Sequence, residues 1–371
     1  MPNYENRNGE YAMRQIKIYG FAAGAVICTL LLTAGCADLS KGTPKTETQP
    51  QETIETRIEP EETATTQVES EEQEPPVKLA LKFAPADSTT YKVTIEAQKS
   101  IKWEGPLPSK PSAFKGGHTG NKIETTFTQQ VEFTDGKGNA VVKVTIKGLK
   151  YLQKVKDNIL LDFDSTREKD QSSPLSKLIG QSYTIEMTAS GQVSKVTDAS
   201  DAQAAVRGSS SAHQTAVKLL SENVIKERHA IPALPPADKD QLRTGDKWSS
   251  LTSFSFDMMG SKSYEKIYTL EEVKDTDARR IAIARMNAIP SSEQAKELHK
   301  EQASSFFSKM FDNTETYTGQ LKLNLTDGEV EECREELLTE WLIVDPNPKD
   351  EERPAALRMT ATRLYSIEKI D

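Results

Sequence analysis

Residues 91–103 read YKVTIEAQKSIKW, and this stretch decides the fold because its apolar side chains recur at every second position. The apolar series is Tyr91, Val93, Ile95, Ala97, Ile101 and Trp103. A period of two places these side chains on one face of a β-strand and the polar side chains between them on the other. The stretch therefore predicts a long strand with one buried face and one solvated face.

The same alternation continues along most of the chain. Further strands are predicted at residues 79–83, 123–133, 142–146, 159–163, 183–187, 248–256, 264–273, 280–289, 316–325, 329–344 and 355–370. Asp135-Gly136 and Asp327-Gly328 supply residues that favour tight turns between neighbouring strands. Consecutive strands joined by short turns are typical of an antiparallel meander.

The apolar period changes to that of a helix in two places. Ala212, Ala216, Leu220 and Val224 fit one helix, which serines 209–211 can cap, and residues 292–311 fit a second. We therefore predict a mainly β protein with minor α content, built as a long curved antiparallel meander or half-barrel with two helical segments packed on it. Two smaller sandwiches joined near residues 232–245 are the alternative.

The beginning of the chain has the pattern of an export signal. Arg14 and Lys17 precede an apolar run over residues 18–34, which ends in small residues directly before Cys36. A positive region, an apolar region and a small-residue cleavage site predict a secretory signal. Residues 32–36, Leu-Thr-Ala-Gly-Cys, resemble the lipobox of bacterial lipoproteins, although Thr33 stands where that family most often has Leu.

The resemblance implies cleavage between Gly35 and Cys36, a diacylglyceryl group on the Cys36 thiol and acylation of the new amine. Residues 1–35 are then a signal peptide, with translation predicted to start at Met13, and the body lies in the periplasm or at the cell surface. Its first partner is the membrane that holds the lipid. An uncleaved membrane helix is the alternative, but the run of 17 residues is shorter than the ~20 that a bilayer requires.

Residues 37–76 form an acidic segment that contains no aromatic residue. One Asp and ten Glu outweigh three basic residues there, so most of the net charge of -9 belongs to this segment. With few apolar side chains to bury, the segment is predicted to be disordered. We expect residues 36–76 to act as a lipid anchor and tether, with coil ends about 35 Å apart.

The body, residues 77–371, is nearly balanced in charge and large enough for a sizeable core. Because it has no basic stripe, nucleic acid is not an expected partner. Of the three cysteines, only Cys333 belongs to the body, so no disulfide can form within it. Cys333 is predicted to be a small buried apolar side chain.

The sequence contains none of the common local motifs that indicate a catalytic site. Its four histidines have no metal-ligand spacing and are predicted to be exposed, and no nucleophile elbow, phosphate loop or dinucleotide fingerprint occurs. Asp162 and Asp164 share a strand face, which indicates a solvated surface rather than a glycosidase pair. We predict a non-enzymatic binding or envelope-structural domain without metal or cofactor; a hydrolase of envelope polymers is an alternative.

A curved sheet of this kind could leave a hollow on its concave side. The side chains predicted to line it are Tyr91, Val93, Ile95, Phe127, Val131, Val144 and Ile146. Helices near residues 212–228 and 292–311 could cover the hollow, as in periplasmic carriers of lipids, which are similar in outline. The protein could then carry a lipid or other amphiphile, whereas a solidly packed body would be a scaffold or bind an envelope protein.

A second resemblance concerns the body. The signal and the acidic tether are followed by three motifs: LALKF at residues 79–83, Pro235 and GDKW at residues 245–248. With these features the chain looks like an uncharacterised bacterial lipoprotein family that carries only a domain-of-unknown-function label. The resemblance implies neither an activity nor site residues. Read from the residues, Gly245-Asp246 forms a turn and Trp248 enters the core.

Overall fold

The computed structural model describes residues 75–104, 116–256, 259–276, 278–291, 312–344 and 356–370. Antiparallel strands dominate this part of the chain: β1 (Ser88–Glu104), β2 (Gly117–Thr134), β3 (Ala140–Val155), β4 (Asn158–Asp164), β5 (Ser182–Met187), β6 (Val193–Thr197), β7 (Lys247–Ser255), β8 (Ser261–Asp275), β9 (Arg280–Pro290), β10 (Asp312–Asn324), β11 (Glu329–Val344) and β12 (Ala356–Ile370). The predicted signal, residues 37–74 of the tether and the predicted helix at 292–311 lie outside the described residues.

The strands form one open sheet in the order β6-β5-β3-β2-β1-β12-β11-β10-β9-β8-β7, with β4 paired to β3. The first and last strands of the chain are neighbours in this sheet, with Val93 opposite Ile367. Tyr91 and Val93 are buried, as the alternation predicts. We call their side of the sheet the inner face. The prediction of a mainly β protein with a curved antiparallel sheet is confirmed.

The sheet curls strongly at its C-terminal side. In the strand order β7 is five steps from β12, yet Arg363 on β12 donates a hydrogen bond of 3.2 Å to the Ser255 carbonyl at the end of β7. Phe256 lies beyond that end, and its ring is 5.2 Å from that of Trp341 on β11. Because strands from both sides of residues 232–245 share this sheet, the two-sandwich alternative is wrong.

Three helices lie between β6 and β7: α1 (Ala199–Ala205), α2 (Ser211–Leu219) and α3 (Glu222–His229). The predicted cap is confirmed, because the Ser210 side chain accepts from the His213 backbone N–H. The single helix predicted at 212–224 is instead two helices, because Ser221 has extended backbone dihedrals and begins α3 as a second N-cap. Apolar periodicity could not show this break, and it did not show α1.

The segment that follows α3, residues 230–234, crosses the inner face and joins its two sides. The Ala230 carbonyl accepts a hydrogen bond of 2.6 Å from the Tyr365 hydroxyl, and the Ala233 carbonyl accepts one of 3.1 Å from the Trp248 indole. The interior of the curved sheet is therefore occupied by the chain itself over much of its length.

Residues 77–83 run along the end of the sheet near the β10–β11 turn. The prediction of a strand at 79–83 is wrong: Leu79 and Leu81 are buried, but among residues 77–83 only Val77 forms a ladder bridge, to Leu242. In the turn, Gly328 has a φ of 70°, and an added Cβ would lie 2.3 Å from the Lys82 backbone nitrogen. The prediction that Asp327-Gly328 turns this strand pair is confirmed, and the close approach of Lys82 is a further reason for glycine there.

Candidate functional site

A pocket with a cavity volume of about 90 Å³ opens on the inner face near the end of β1 and β12. We call it the β1/β12 pocket. Its lining residues are Ala97, Gln98, Lys99, Ser100, Ile101, Thr119, Gly120, Ser255, Phe256, Met259, Trp341, Met359, Thr360, Ala361, Thr362 and Arg363. It lies far from the end of β1 where residues 77–83 enter the body.

The pocket exists because small and large side chains are unevenly placed. Ala97 and Ala361 lie on neighbouring strands and leave the floor low, since each projects only a methyl group. The walls belong to a small apolar cluster that is separate from the main core. This cluster contains Met259, Trp341 and Met359. Thioethers and aromatic rings of this kind adapt their shape to an apolar guest.

Two cationic side chains also line the pocket, on the two strands that form its floor. Arg363 lies opposite Ala97, and Lys99 lies opposite Ala361, so the two cations are diagonal neighbours across the β1–β12 pair. The guanidinium carbon of Arg363 is 4.6 Å from the centre of the Phe254 ring. Together with the hydrogen bond to Ser255, this ring contact fixes the guanidinium in place.

Glu227 on α3 is the acidic group that responds to Arg363 from the helical side. Burial raises the pKa of the Glu227 carboxyl to about 7, although Arg363, Arg228 and Lys218 oppose the rise. Burial and the charge of Arg363 therefore act on the pKa of the Glu227 carboxyl in opposite directions.

Deeper in the same half of the sheet lies a group of polar side chains that we call the charged cluster: Lys266, Tyr268, Tyr317 and Glu335. The Glu335 carboxylate accepts hydrogen bonds from the Lys266 ammonium (3.1 Å), the Tyr268 hydroxyl (2.5 Å) and the Tyr317 hydroxyl (2.7 Å). Burial, and then Glu335, raises the pKa of both tyrosines. Both oxygens of Glu335 are satisfied within the protein, which indicates a structural role.

A second cavity, of about 50 Å³, lies at the opposite end of β1. Tyr91, Val131 and His229 are among its lining residues, with Glu329 at its edge. It is little larger than the space of a few water molecules. This cavity is therefore a minor feature beside the β1/β12 pocket.

The structure distributes the seven side chains predicted to line a hollow as follows. Tyr91 and Val131 line the smaller cavity. The others pack within the main core: Val93, Phe127, Val144 and Ile146 as fully buried members and Ile95 as a partly buried one. These seven side chains do share the inner face, but α3 and residues 230–234 occupy the space where the sequence predicts a hollow.

His229 is the residue that fills the centre of that space, and the prediction that it is exposed is wrong. Its side chain is 0% exposed, its Nε2 lies 2.6 Å from the Tyr183 hydroxyl, and its ring packs edge-on against Phe127 at 4.4 Å. Burial, reinforced by Arg228, holds the pKa of His229 well below its ordinary value. The neutral imidazole therefore serves as a polar core side chain.

The two carboxylates of β4, Asp162 and Asp164, form ion-pair and turn contacts near the protein surface. Arg167 donates to both oxygens of Asp162, at 3.0 and 2.9 Å, and this pairing lowers the pKa of Asp162. The Thr166 backbone N–H donates to Asp164 and lowers its pKa. Both groups are set to remain ionised, and the pair lacks the raised pKa that a general acid needs.

Sequence reasoning did not select Lys99, Lys266, Glu335 or Arg363, yet a signal for them exists. Each stands in the apolar phase of its strand; Arg363, for example, follows Leu357, Met359 and Ala361 at every second position. A charge in the buried phase must find a partner or border a site. The rule selects Lys266, Glu335 and Arg363 in strands β8, β11 and β12, and Lys99 in β1.

The remaining predicted sites are the cleavage and lipidation site, Gly35 and Cys36, and the single cysteine of the body, Cys333. Gly35 and Cys36 lie outside the described residues. Cys333 is 0% exposed, which confirms its predicted burial, and burial raises the pKa of its thiol. Within the described ranges, no group of His, Cys, Asp and Glu side chains could hold a metal ion, and no helix is long and apolar enough to cross a membrane.

Solved structures resemble the chain only distantly. A lipovitellin structure concerned with lipid–protein interactions has a TM-score of 0.33 at 9% identity; the match covers 78% of this chain and 26% of the lipovitellin chain. DynF from the dynemicin biosynthesis pathway of Micromonospora chersina has a TM-score of 0.17 at 6% identity, covering 83% and 94% of the two chains. OpdQ of Pseudomonas aeruginosa has a TM-score of 0.15 at 7% identity, covering 76% and 97%. No curated protein matches the sequence.

A protein-family model gives a firmer result. The model described as "Family of unknown function (DUF6263)" matches residues 137–330, which is more than half of the chain. The match spans β3 to the beginning of β11 and includes Pro235 and GDKW at 245–248, two of the three motifs behind the predicted resemblance. The chain therefore belongs to DUF6263, a family of unknown function.

Proposed function

We propose that the protein is a lipid-anchored lipoprotein of the cell envelope whose body binds an apolar group in the β1/β12 pocket. The anchor rests on the signal pattern before Cys36. The binding role rests on one observation, a separate apolar cluster that borders a cavity of about 90 Å³, whereas most other inward side chains of the described strands pack in the main core. The body would face the periplasm or the outside of the cell.

The size of the pocket limits what it can hold. An engineered apolar cavity of about 150 Å³ accommodates benzene, so a cavity of about 90 Å³ suits a shorter piece, such as the end of an alkyl chain. The proposed ligand is thus a small amphiphile or one end of a larger one. The wall of Phe256, Trp341 and Met359 can close around such a group.

The predicted tether fits this role. Residue 77 enters the body at the end of the sheet opposite to the pocket. A coil of about 35 Å between the lipid and the body would let the body turn and sample the space above its membrane. The pocket would then meet amphiphiles that leave the membrane or pass close to it.

The pocket can be tested with the full chain in its native membranes. A medium-chain alcohol carrying a photoactivatable diazirine should label peptides from β1, β12 or Trp341. Ala361→Leu should strongly reduce this labelling, because the larger side chain fills the cavity. Thr318→Leu, which places a leucine at an exposed position of β10, is the control. Labelling that ignores Ala361→Leu would contradict the proposed site.

The anchor is tested separately by mass spectrometry of the mature N-terminus. We expect a chain that begins at Cys36 and carries diacylglyceryl and acyl groups, and we expect Cys36→Ala to leave the protein unprocessed or released from the membrane. A mature chain that begins upstream with an unmodified Cys36 would contradict lipidation. This result is independent of the pocket experiment.

The filled interior favours a second candidate, an envelope scaffold or protein-binding module. Phe127, Val144 and His229 are fully buried where the sequence predicts a hollow, so this region is packed like a structural core. A scaffold predicts no specific labelling of the β1/β12 pocket. Cross-linking of the intact cell envelope should then capture the protein with an envelope partner whether or not Ala361 is replaced.

A further inference from the structure

The tip of the β3–β4 hairpin carries two apolar side chains, Ile159 and Leu160, which are 58% and 59% exposed. Within the described ranges, no other two consecutive large apolar side chains are both exposed. The base of the same hairpin is anchored, because Tyr151 and Phe163 lie opposite each other and are buried. The hairpin therefore extends from the main core and presents apolar residues at its free end.

A bulge in β4 explains why both side chains are exposed. Gln153 of β3 lies opposite Leu161. The next residue of β3, Lys154, lies opposite Ile159, so Leu160 is an extra residue in the ladder. In a regular strand, two successive side chains point to opposite faces, whereas a bulge interrupts this alternation and can redirect a side chain.

The charges at the tip favour an anionic partner. Within the described chain, the ammonium groups of Lys154 and Lys156 form no ion pair and no hydrogen bond. The one carboxylate of the turn, Asp157, is held by His118, whose backbone nitrogen and ring Nδ1 lie 3.1 and 2.8 Å from Asp157 Oδ1. His118, and more weakly Lys154, lowers the pKa of Asp157. Two unpaired ammonium groups thus lie beside two exposed apolar side chains.

The tip lies at the same end of the sheet as the β1/β12 pocket. The Lys156 backbone N–H donates a hydrogen bond of 3.0 Å to the Thr119 hydroxyl, and Thr119 lines the pocket. Gly120, another lining residue, lies opposite Lys154, which in turn lies opposite Ile159. Two strand spacings, about 10 Å, therefore separate Ile159 from a strand that borders the pocket.

The small area of the tip decides which kind of partner it can hold. Two exposed side chains offer far less than the roughly 1,000 Å² that a stable protein–protein interface buries. A lipid surface has no such minimum, because apolar side chains can enter the boundary between head groups and acyl chains while lysines contact anionic head groups. A weak contact suffices on a tethered body, since the tether keeps the body close to the membrane.

We propose that the β3–β4 hairpin docks on an anionic lipid surface, with Ile159 and Leu160 in the apolar layer and Lys154 and Lys156 at the head groups. Docking brings the β1/β12 pocket to the membrane, where an apolar group can pass into it. This inference rests on the anchor of the proposed function. The predicted tether, residues 37–76, can extend to about 130 Å, whereas the 17 residues of β1 span about 58 Å. The pocket end can therefore reach the membrane although the tether enters at the far end.

Photolabelling of the purified full chain on vesicles tests this docking. The vesicles contain a phosphatidylcholine with a diazirine at the end of one acyl chain, so that only groups in the apolar layer react. With about one third phosphatidylglycerol, the peptide containing residues 158–161 should be labelled about fivefold or more above its level on phosphatidylcholine alone, since each lysine gains from an anionic surface. Phe133, which is 61% exposed at the other end of β2, should remain unlabelled.

A double variant tests the apolar part of the contact. Ile159→Ser combined with Leu160→Ser should lower the labelling of the hairpin about tenfold or more, because two apolar contacts with the lipid are lost. Phe133→Ser, which removes a side chain of similar exposure far from the tip, is the matched control and should leave this labelling unchanged. Thermal unfolding checks that both proteins remain folded.

A second double variant tests the charges. Lys154→Gln combined with Lys156→Gln should abolish the preference for phosphatidylglycerol. Lys143→Gln combined with Lys147→Gln, at exposed positions further along β3, is the matched control and should keep the preference. Equal labelling of the native hairpin on the two kinds of vesicle would overturn the anionic part of the proposal.

The remaining outcomes separate this inference from the anchor. A hairpin labelled no more than Phe133, or labelled equally in the serine variant, overturns the docking. A dimer or protein complex that the serine variant abolishes, without lipid labelling, assigns the tip to a protein partner instead. Mass spectrometry of Cys36 in the same sample reads the anchor. An unlabelled hairpin on a lipidated chain overturns only this inference, whereas a labelled hairpin on an unlipidated chain overturns only the anchor.

Discussion

The two halves of the sheet handle their inner faces differently. In the half formed by β1–β6, the helices cover the strands. The central side chains there are mostly apolar, with the neutral His229 and with the buried cation Arg228, which donates to the Tyr183 hydroxyl and the Leu219 carbonyl. In the half formed by β7–β12, the sheet curls until the end of β7 meets β12, and it encloses Lys266, Glu335 and Arg363. The β1/β12 pocket lies where the two halves meet.

This difference shows how the same strand pattern leads to a solid core or to a pocket. A helix can bring large side chains into a hollow and fill it, as α3 does with Ile225 and His229. The curled half, β7–β12, is filled by the side chains of its own strands and by residues 230–234, whose carbonyls accept hydrogen bonds from Trp248, Tyr268 and Tyr365. Small residues such as Ala97 and Ala361 then leave a gap, and inward charges must pair with one another.

The largest expected effect comes from breaking the charged cluster of the C-terminal half. Lys266→Met leaves the buried Glu335 carboxylate without its cation and should lower the free energy of unfolding by about 3–5 kcal/mol. Urea unfolding followed by tryptophan fluorescence measures this loss. Arg334→Met, which removes one partner of an exposed ion pair, should cost less than about 1 kcal/mol.

Replacing both partners of that pair sharpens the test. The double variant Lys266→Met with Glu335→Leu removes the buried charge altogether and should be more stable than Lys266→Met alone. If Lys266→Met proves as mild as Arg334→Met, the cluster does not act as a buried pair, and the contrast between the two halves loses its main support.

A smaller effect, with a defined pH range, is expected where α3 meets the C-terminal half. The pKa of Glu227 rises from its ordinary 4.5 to about 7 in the folded protein, so the folded state holds this proton more tightly than the unfolded state. The carboxyl therefore destabilises the fold increasingly as pH rises from 4.5 to 7. Glu227→Gln should add on the order of 3 kcal/mol at pH 8 and almost nothing at pH 4.

Glu222→Gln is the matched control for this pH dependence. Glu222 lies on the same helix but is exposed and pairs with Lys226, so its replacement should change stability by less than about 1 kcal/mol at either pH. Thermal or urea unfolding at the two pH values gives both results. An equal effect of Glu227→Gln at pH 4 and pH 8 would show that burial does not perturb this carboxyl.

The smallest expected effects on stability come from replacing a buried alanine with leucine, once in each half of the molecule. Ala216 on α2 is 0% exposed in the main core, so Ala216→Leu should overpack it and cost about 1–3 kcal/mol. Ala361→Leu extends into the β1/β12 pocket and should instead stabilise the fold by about 0.5–2 kcal/mol. Differential scanning calorimetry measures both; a loss of stability in Ala361→Leu would mean that the pocket is not open space.

Much of the fold was predictable because strand alternation is local. The predicted bounds of β11 match the structure, and those of β9 and β12 lie within one residue. The helices were less predictable: serine caps split one predicted helix into two, and the short α1 has little apolar periodicity. The candidate site was missed because its floor joins β1 to β12, whose residues are far apart in sequence, as in the hydrogen bond between Ser100 and Thr360.

The sequence by itself determined which side chains of each strand face inward, because a period of two is a property of neighbouring residues. It also supplied the pattern before Cys36 that predicts an export signal, and the charges in the apolar phase of β1, β8, β11 and β12. Only the tertiary structure decided which inward side chains touch. His229 came to fill the predicted hollow, and Lys99 and Arg363 came to border an open one, because packing depends on strand order and sheet curvature, which join residues far apart in the chain.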